Sequence, residues 1–284
     1  MSNHYQRWTG IMKAYPFEEK RLLKYPTPYI IQPKFDGIRC RAIHISSGYI
    51  LLSSEENIIF SVPHINKQLN NSKLTYELDG ELYCHGMTFE EIISITSRTV
   101  NIHPEHEKIS FHIFDVINDE SQLERLAWLE YRINLFFNNL ILTPYWLAEN
   151  LEEVMKIYNG LINDDYEGMI VRNLYAPYER KRSTNIMKFK PKKSDVYEIV
   201  GYVEELSNDG ERKNTLGALK CVSGDGKTFN VGTGFSANQR KLLWIKRYEL
   251  LGYFAKIQYQ HITSGNKVPR FPVFVEIVNN LEGE

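Results

Sequence analysis

The fold of this chain is constrained most by a series of short apolar segments that end at turn-forming residues near its N-terminus. Residues 29–31 form the first segment, and Pro33 and the Asp-Gly pair at residues 36–37 signal a turn after it. Residues 39–45 alternate well enough for a second strand, and residues 49–52 form a third segment. This pattern predicts a meander of strands joined by tight turns.

The residues that follow mix strand-like and helix-like segments. Thr88 and Glu91 have the spacing of a helix capping box, which predicts the start of a helix. Helical periodicity extends over residues 123–140, and a shorter helix is predicted over residues 151–161. Further strands are predicted at residues 74–83, 109–117, 167–172 and 186–190. We therefore expect an α+β domain with antiparallel sheets.

The character of the sequence changes near residue 191, after which short strand-like segments alternate with glycine-rich turns. A helix is predicted over residues 237–250, with Ser236 as its cap. Strands are predicted at residues 197–203, 217–222, 227–232, 255–261 and 271–278. Short strands with one helix are typical of a small all-β barrel of the OB fold. We expect the α+β domain over residues 1–191 and the OB-fold domain over residues 192–284.

The composition is ordinary for a soluble globular protein, but the overall charge does not identify a partner. Hydrophobic residues make up 43% of the 284 residues and the net charge is −1. Residues 180–193 nevertheless carry only basic charges, and such a stripe attracts phosphate groups whatever the net charge. Its basic residues are Arg180, Lys181, Arg182, Lys188, Lys190, Lys192 and Lys193. A solvated charged loop is the alternative interpretation.

The cysteine pattern and the absence of long apolar runs indicate where the protein is found. The three cysteines are far apart, so neither a zinc site nor a disulfide framework is predicted. No apolar run approaches the roughly 18 residues of a membrane helix, and the N-terminus has no signal-peptide core. We expect a soluble intracellular protein without a membrane partner, in the cytoplasm of a bacterium or of a virus-infected host cell.

The turn after the first strand contains the residues that suggest chemistry. Residues 34–39 read Lys-Phe-Asp-Gly-Ile-Arg, which places a lysine, a carboxylate and an arginine around one turn. A lysine acts as a nucleophile only when its amine is neutral, and nearby cations favour the neutral form. Arg39, Lys188 and Lys190 are candidate cations for Lys34. By itself, this hexamer is equally consistent with a surface turn.

Other short motifs add the groups that nucleotidyl transfer requires. Glu81 lies within an apolar strand and Glu167 at the start of a buried one, so each offers a carboxylate. Lys188 and Lys190 are two residues apart in a predicted strand and therefore share a face. Phe114 offers an aromatic ring for a base. Each residue alone has a simpler explanation, as an edge charge or a core side chain, but together they match metal, phosphate and base binding.

In their order and spacing these motifs resemble those of the covalent nucleotidyltransferases, which include ATP-dependent DNA ligases, RNA ligases and mRNA capping enzymes. The resemblance extends over about residues 29–275. In the C-terminal part, residues 216–219, 231–235 and 269–274 resemble the OB domain of DNA ligases. Residues 232–244 are especially similar to small viral ligases of the chlorella-virus type. The chain is thus identified as a member of the ATP-dependent DNA ligases, in their minimal form.

This resemblance implies an activity and a set of site residues. The activity is sealing of 3′-hydroxyl/5′-phosphate nicks in duplex DNA by a monomer, with ATP as AMP donor, Mg²⁺ or Mn²⁺ as metal, and AMP carried on Lys34. The implied catalytic residues are Lys34, Asp36, Lys188 and Lys190. The implied ATP-binding residues are Gln32, Pro33, Lys34, Arg39, Glu81, Phe114, Glu167, Lys188 and Lys190. The implied metal ligands are Glu167, Glu81 and Asp36, and the implied DNA contacts are Arg41, Arg180, Lys181, Arg182, Lys192, Lys193 and Arg270.

Three departures from the family pattern leave alternatives open. The arginine that the family places after the first motif is absent from residues 52–56. Arg41 is a weak substitute for it. No lysine or arginine follows Arg270, so self-adenylation is expected to be slower or to rely on a different cation to orient pyrophosphate. The loop between residues 203 and 216 is too short for a full DNA-encircling latch. An RNA ligase, a capping guanylyltransferase and a catalytically inactive DNA clamp are the alternatives.

Overall fold

The computed structural model describes residues 9–72, 74–133, 138–190, 193–207, 209–259, 262–263 and 266–278. The chain divides into two compact units. The first comprises Met1–Ile157 and Asp165–Phe189, and the second Tyr158–Asp164 and Lys190–Glu284. The boundary after residue 191 stays a proposal, because residues 191 and 192 are outside the described part of the chain.

The first unit contains two five-stranded sheets with helices packed around them. Its elements are β1 (Lys13–Pro16), α1 (Glu19–Leu22), β2 (Tyr29–Lys34), β3 (Ile38–Ile45), β4 (Gly48–Leu52), α2 (Pro63–Asn71), β5 (Leu78–Tyr83), α3 (Phe89–Thr96), β6 (Ser110–Val116), α4 (Gln122–Ile133), β7 (Leu140–Leu142), β8 (Trp146–Ala148), α5 (Leu151–Asn163), β9 (Gly168–Asn173) and β10 (Arg182–Phe189). The end of α5 belongs to the second unit. The predicted meander β2-β3-β4 is present, although β2 and β3 contribute to different sheets.

The sheets of the first unit are mainly antiparallel, as expected, and each also contains one parallel pair. One sheet has the order β1-β10-β9-β2-β8 and the other β4-β3-β5-β6-β7. β1 runs parallel to β10, and β7 runs parallel to β6. Sequence patterns did not predict β1 or β7, because both are too short for alternation to be recognised.

A core of apolar side chains lies against the β4-β3-β5-β6-β7 sheet. Alternate residues of β3, Cys40 and Ala42, are completely buried, as are Leu78 and Leu82 of β5. This follows from the two-residue period of strands, which directs every second side chain to one face. The core therefore fixes which residues of β3 and β5 point away from it, including Arg39 and Glu81.

The predicted start of a helix at Thr88 is confirmed. The predictions for the longer helix over residues 123–140 and for the basic stretch are only partly confirmed. The Thr88–Glu91 capping box is present at the start of α3. The described part of α4 reaches Ile133, residues 134–137 lie outside the described residues, and the strand β7 begins at Leu140, where the predicted helix was expected to end. The basic stretch from residue 180 is mostly strand, because β10 already begins at Arg182.

The second unit is an antiparallel sheet with the helix α6 and the end of α5. Its elements are β11 (Lys193–Leu206), β12 (Arg212–Val222), β13 (Thr228–Val231), α6 (Ala237–Ile245), β14 (Phe254–Tyr259) and β15 (Val273–Val278). The strand order is β13-β12-β11-β14-β15. α6 begins with the predicted cap, where Ser236 and Gln239 form a capping box, but it ends at Ile245 instead of residue 250.

The sheet of the second unit is not closed into a barrel in the described residues. Its edge strands β13 and β15 are linked only by an isolated parallel bridge between Thr233 and Val273 among those residues. Gly234 lies beside this bridge with a φ of +92°, and a side chain there would collide with the carbonyl oxygen of Phe274. Phe235 then stacks on Phe274 with ring centroids 4.2 Å apart. Glycine is thus required where the two edges approach.

None of the described helices combines the length and apolar character that crossing a membrane requires.

Candidate active site

A cavity of about 290 Å³ lies within the first unit and collects most of the predicted nucleotide-binding residues. Strands β1, β2, β9 and β10 of one sheet contribute to its wall, together with β3, β5 and β6 of the other. The predicted residues that line it are Gln32, Pro33, Lys34, Arg39, Glu81, Phe114, Arg182 and Lys188. Residues from seven strands therefore converge on one site.

The amino group of Lys34 forms an ion pair with the carboxylate of Glu167 in this cavity wall. The pairing of β2 with β9 produces this contact, because Lys34 is opposite Gly168 and Glu167 directly precedes it. The two side chains are 21% and 15% exposed, so solvent still reaches them. The ion pair places a carboxylate at the nitrogen that would act as nucleophile.

Arg39 is held by a carboxylate that the sequence analysis did not assign to the site. Its Nε and Nη2 donate hydrogen bonds of 2.7 and 2.6 Å to the two oxygens of Asp79, which is completely buried. The hydroxyl of Tyr178 donates a third bond of 2.6 Å to Asp79. Burial lowers the pKa of Arg39, but the ion pair with Asp79 outweighs it and the net shift is upward. The signal in the sequence was a carboxylate inside an apolar strand, two residues before Glu81.

Glu81 is the carboxylate among the residues that line the cavity, and its pKa is shifted. Burial raises its pKa to about 7, against the opposing charges of Arg39 and Lys34. Near neutral pH the side chain is therefore present in both the protonated and the ionised form. A carboxyl group in this state can accept a hydrogen bond from a hydroxyl or donate one.

Phe114 is in the cavity wall, as predicted for a residue that contacts a base. Its ring is 8% exposed. The guanidinium groups of Arg39 and Arg172 lie 4.6 and 5.2 Å from its centroid. The sequence motifs did not identify Arg172 as a site residue. It lies on β9, the strand that begins directly after Glu167.

Two cations stand side by side on the edge of the sheet. Lys13 of β1 is in register with Arg182 of β10, and both line the cavity. Nη1 of Arg182 donates a 3.0 Å bond to the carbonyl of Ala14, and its guanidinium lies 5.6 Å from the ring of Tyr15. Lys13 was missed because nothing in the sequence near β1 indicates a parallel strand.

Comparisons with known proteins place this geometry in a family. A family profile described as "ATP dependent DNA ligase domain" matches residues 11–190, and a second, "DNA ligase OB-like domain", matches residues 209–277. The first covers more than half of the chain. The chain belongs to the ATP-dependent DNA ligases. The resemblance inferred from the motifs is thereby confirmed.

Similar proteins support this assignment, and solved structures have a similar fold. A DNA ligase of Haemophilus influenzae is 32% identical over 208 residues, covering 70% of each chain. A DNA ligase of African swine fever virus is 27% identical over 227 residues, and the match spans only 52% of that protein. The fold is similar to a Chlorella virus DNA ligase-adenylate, with a TM-score of 0.67 and 22% identity over 96% of this chain and 100% of the other. The ligase of bacteriophage T7 in complex with ATP gives a TM-score of 0.72 at 17% identity, over 94% of this chain and 98% of the other.

Some predicted site residues of this ligase are outside the cavity wall. Asp36 is exposed in the turn between β2 and β3, and Lys190 directly follows β10. The described residues contain no group of three or more acidic, histidine or cysteine side chains able to hold a metal ion. The three predicted metal ligands, Asp36, Glu81 and Glu167, are therefore not brought together in one cluster.

The structure does not support a DNA contact by Arg41. The side chain is 1% exposed, and its guanidinium pairs with Glu56 at 2.8 Å and Glu77 at 3.1 Å. It alternates along β3 with Cys40 and Ala42, and the two carboxylates neutralise its charge inside the unit. A phosphate could reach it only if these buried pairs were broken, so Arg41 is a structural residue.

The remaining predicted DNA contacts have different surroundings. Arg180 pairs with Glu77 at 2.5 Å, and Lys181 pairs with Glu179 at 2.8 Å. Lys193 is exposed at the start of β11, and the guanidinium of Arg270 lies 4.1 Å from the ring of Phe271. Lys192 is outside the described residues.

Proposed function

We propose that the cavity of the first unit is the adenylation site of this DNA ligase and that Lys34 carries AMP. The observation that supports this most is the position of the Lys34 amine, which lies in the cavity wall against Glu167. Arg39 and Lys188 line the same cavity. A nucleophile, an adjacent carboxylate and cations for a phosphate are thus present at one site.

The reaction begins with attack of the neutral Lys34 amine on the α-phosphate of ATP. A nitrogen–phosphorus bond forms, the bond to the β-phosphate oxygen breaks, and pyrophosphate leaves with that electron pair. Because Glu167 contacts the Lys34 nitrogen, it is placed to accept the proton that the amine must lose. Lys188 stabilises the negative charge that develops on the phosphate.

The later steps transfer AMP to DNA and then release it. An oxygen of the 5′-phosphate at a nick attacks the phosphorus of the lysyl adenylate, and the lysine amine leaves. The 3′-hydroxyl then attacks the activated 5′-phosphate, and AMP is released as the phosphodiester bond forms. We propose that Asp36, which is exposed in the turn beside Lys34, assists these two steps.

The nucleotide would be oriented by groups on both sheets. We assign Glu81 and Arg39 to the ribose hydroxyls, since a carboxyl group with a pKa of about 7 can donate or accept there. We assign Gln32 and Phe114 to the adenine. Lys190 is assigned to the phosphate by its place in the sequence motif alone.

A divalent cation, Mg²⁺ or Mn²⁺, fits the carboxylates present. Glu167 already holds a cationic group, the Lys34 ammonium, and Glu81 is close enough for its charge to interact with Glu167. Magnesium is commonly bound by one or two carboxylates with phosphate oxygens and waters, so a cluster of three protein ligands is not required. Such an ion would neutralise charge on the phosphates.

The DNA partner we propose is a nicked duplex bound by a monomer through phosphate contacts. Arg180, Lys181, Arg182, Lys193 and Arg270 are the described candidates for these contacts. Phosphate neutralisation releases counterions, so nick binding should weaken steeply with salt and vary little with base sequence.

The test is incubation of the protein with Mg²⁺ and α-labelled ATP or GTP, followed by nicked DNA or nicked RNA. We expect labelled protein from ATP only, loss of that label on nicked DNA, and a sealed product. Lys34→Ala should take up no label, whereas the exposed control Lys20→Ala should behave as wild type. Labelling of Lys34→Ala, or efficient use of GTP, would overturn the proposal.

A further inference from the structure

We infer that Arg172 is a positioning residue that fixes the Gln32 amide, so that Gln32 presents a hydrogen-bond donor to N1 of adenine and selects the nucleotide. This inference rests on the proposed adenylation site. It concerns which base the site accepts and assigns a role to a residue that the motifs did not identify.

Gln32 is buried, yet one of its polar atoms has no partner. The side chain is 2% exposed and lines the cavity. Its Oε1 accepts a 2.7 Å hydrogen bond from Nε of Arg172. Its Nε2 has no hydrogen-bond partner among the described residues. A buried amide nitrogen without a partner is costly, which indicates that a bound ligand supplies the acceptor.

The orientation of the amide follows from chemistry. A guanidinium group has donors and no acceptor, so only the oxygen of Gln32 can face Arg172. The nitrogen must then point elsewhere. Because Arg172 binds the amide oxygen, the amide nitrogen of Gln32 remains for a ligand, and this nitrogen is a hydrogen-bond donor.

Arg172 is itself held in one position. It is 3% exposed, and its Nη1 donates bonds of 2.9 Å to Asp115 and 3.1 Å to Gln122. Asp115 is completely buried and also accepts a 2.6 Å bond from Nε of Arg125. A planar fork that binds two partners at once cannot be reproduced by a lysine.

A fixed donor that faces N1 of a purine favours adenine over guanine. Its N1 is an acceptor, whereas N1 of guanine and of hypoxanthine carries a hydrogen. A donor of Gln32 facing that N–H would leave two buried donors unpaired. The same network places the Arg172 guanidinium 5.2 Å from the Phe114 ring, so one arginine contacts both residues that we assign to the base.

The experiment compares self-adenylation rates, as kcat/KM, with ATP, 1-deaza-ATP and 7-deaza-ATP. 1-Deaza-ATP replaces N1 by a C–H group and keeps the 6-amino group, and 7-deaza-ATP removes a different ring nitrogen. For the wild type we expect a preference for ATP over 1-deaza-ATP of roughly 10- to 100-fold, the value of one buried hydrogen bond. 7-Deaza-ATP should be used nearly as well as ATP.

The variants separate positioning from a general structural effect. In Gln32→Ala and Arg172→Lys the preference for ATP over 1-deaza-ATP should fall to about threefold or less. The control Arg41→Lys also removes a buried guanidinium fork, but outside the cavity, and should lower thermal stability with the preference unchanged. The same three nucleotides are compared in each variant, so a uniform loss of rate is distinguishable from a loss of selectivity.

Two outcomes would overturn the inference: a wild-type enzyme that does not distinguish ATP from 1-deaza-ATP, or an Arg172→Lys variant that keeps the wild-type preference. Failure of the proposed function is a separate result, because it appears as labelling of Lys34→Ala by ATP. If Arg172→Lys does not fold, Gln32→Ala alone still decides whether N1 is read.

Discussion

Lys34 and Glu167 form an ion pair between two strands that are distant in sequence. Lys34 ends β2, and Glu167 directly precedes β9, its antiparallel neighbour. Attack on a phosphate needs the neutral amine, which cannot keep this ion pair. The ground state of the ligase is thus stabilised by a contact that must change before the first chemical step.

Removal of the Glu167 charge should slow the first chemical step, the transfer of AMP to Lys34. In Glu167→Gln the amide cannot accept the Lys34 proton, and we expect self-adenylation to slow by about 10²-fold or more, the usual contribution of a general base. Single-turnover labelling with ATP measures this rate. The control is Glu152→Gln, an exposed glutamate at the start of α5, which should be unchanged. A wild-type rate in Glu167→Gln would exclude a role in proton transfer.

The raised pKa of Glu81 should make stability depend on pH. Burial raises its pKa from 4.5 to about 7, so between these values the folded protein binds a proton that the unfolded chain releases. The stabilisation from this group is therefore complete below pH 4.5 and is lost as the pH rises through about 7. The change is on the order of 3 kcal/mol, since one pKa unit corresponds to about 1.4 kcal/mol.

Denaturant unfolding of the wild type and Glu81→Gln across this pH range tests the linkage. The free energy of unfolding of the wild type should fall with rising pH relative to that of Glu81→Gln, which has no group to titrate there. Parallel pH profiles of the two proteins would show that Glu81 does not titrate in this range.

The sequence predicted the local features of the site better than the distant ones. The turn at Lys34 and the capping box at Thr88 depend on neighbouring residues, and both are present. The pairing of β1 with β10 depends on residues far apart in the chain, which no local pattern records. For the same reason Arg41 could be read as a DNA contact, because its partners Glu56 and Glu77 become neighbours only in the folded sheet.

The buried carboxylate of Asp79 should be essential for both stability and the position of Arg39. Asp79→Asn leaves the Arg39 guanidinium without its counter-charge, and loss of one partner of a buried ion pair costs about 3 to 5 kcal/mol. Thermal denaturation of the variant measures the loss. Because Arg39 remains partly solvent-exposed, the upper end of this range is not expected.

The exposed ion pair between Lys256 and Glu276 gives the control. Glu276→Gln, which removes the partner of Lys256, should change stability by less than about 1 kcal/mol. Equal losses in the two variants would contradict a structural role specific to Asp79.

Lys13 should act only in the step that uses ATP. It lines the cavity next to Arg182, and a flexible cation at the edge of the sheet is suited to the β- and γ-phosphates. These phosphates are present during self-adenylation and have left before AMP reaches the DNA. Lys13→Ala should therefore slow labelling by ATP by about tenfold, as expected for a lost charge-assisted hydrogen bond, while a nick that already carries AMP on its 5′-phosphate is sealed at the wild-type rate. The exposed Lys20→Ala variant controls for the loss of a surface charge. Equal slowing of both reactions would show that Lys13 contacts AMP or DNA and does not act on the leaving pyrophosphate.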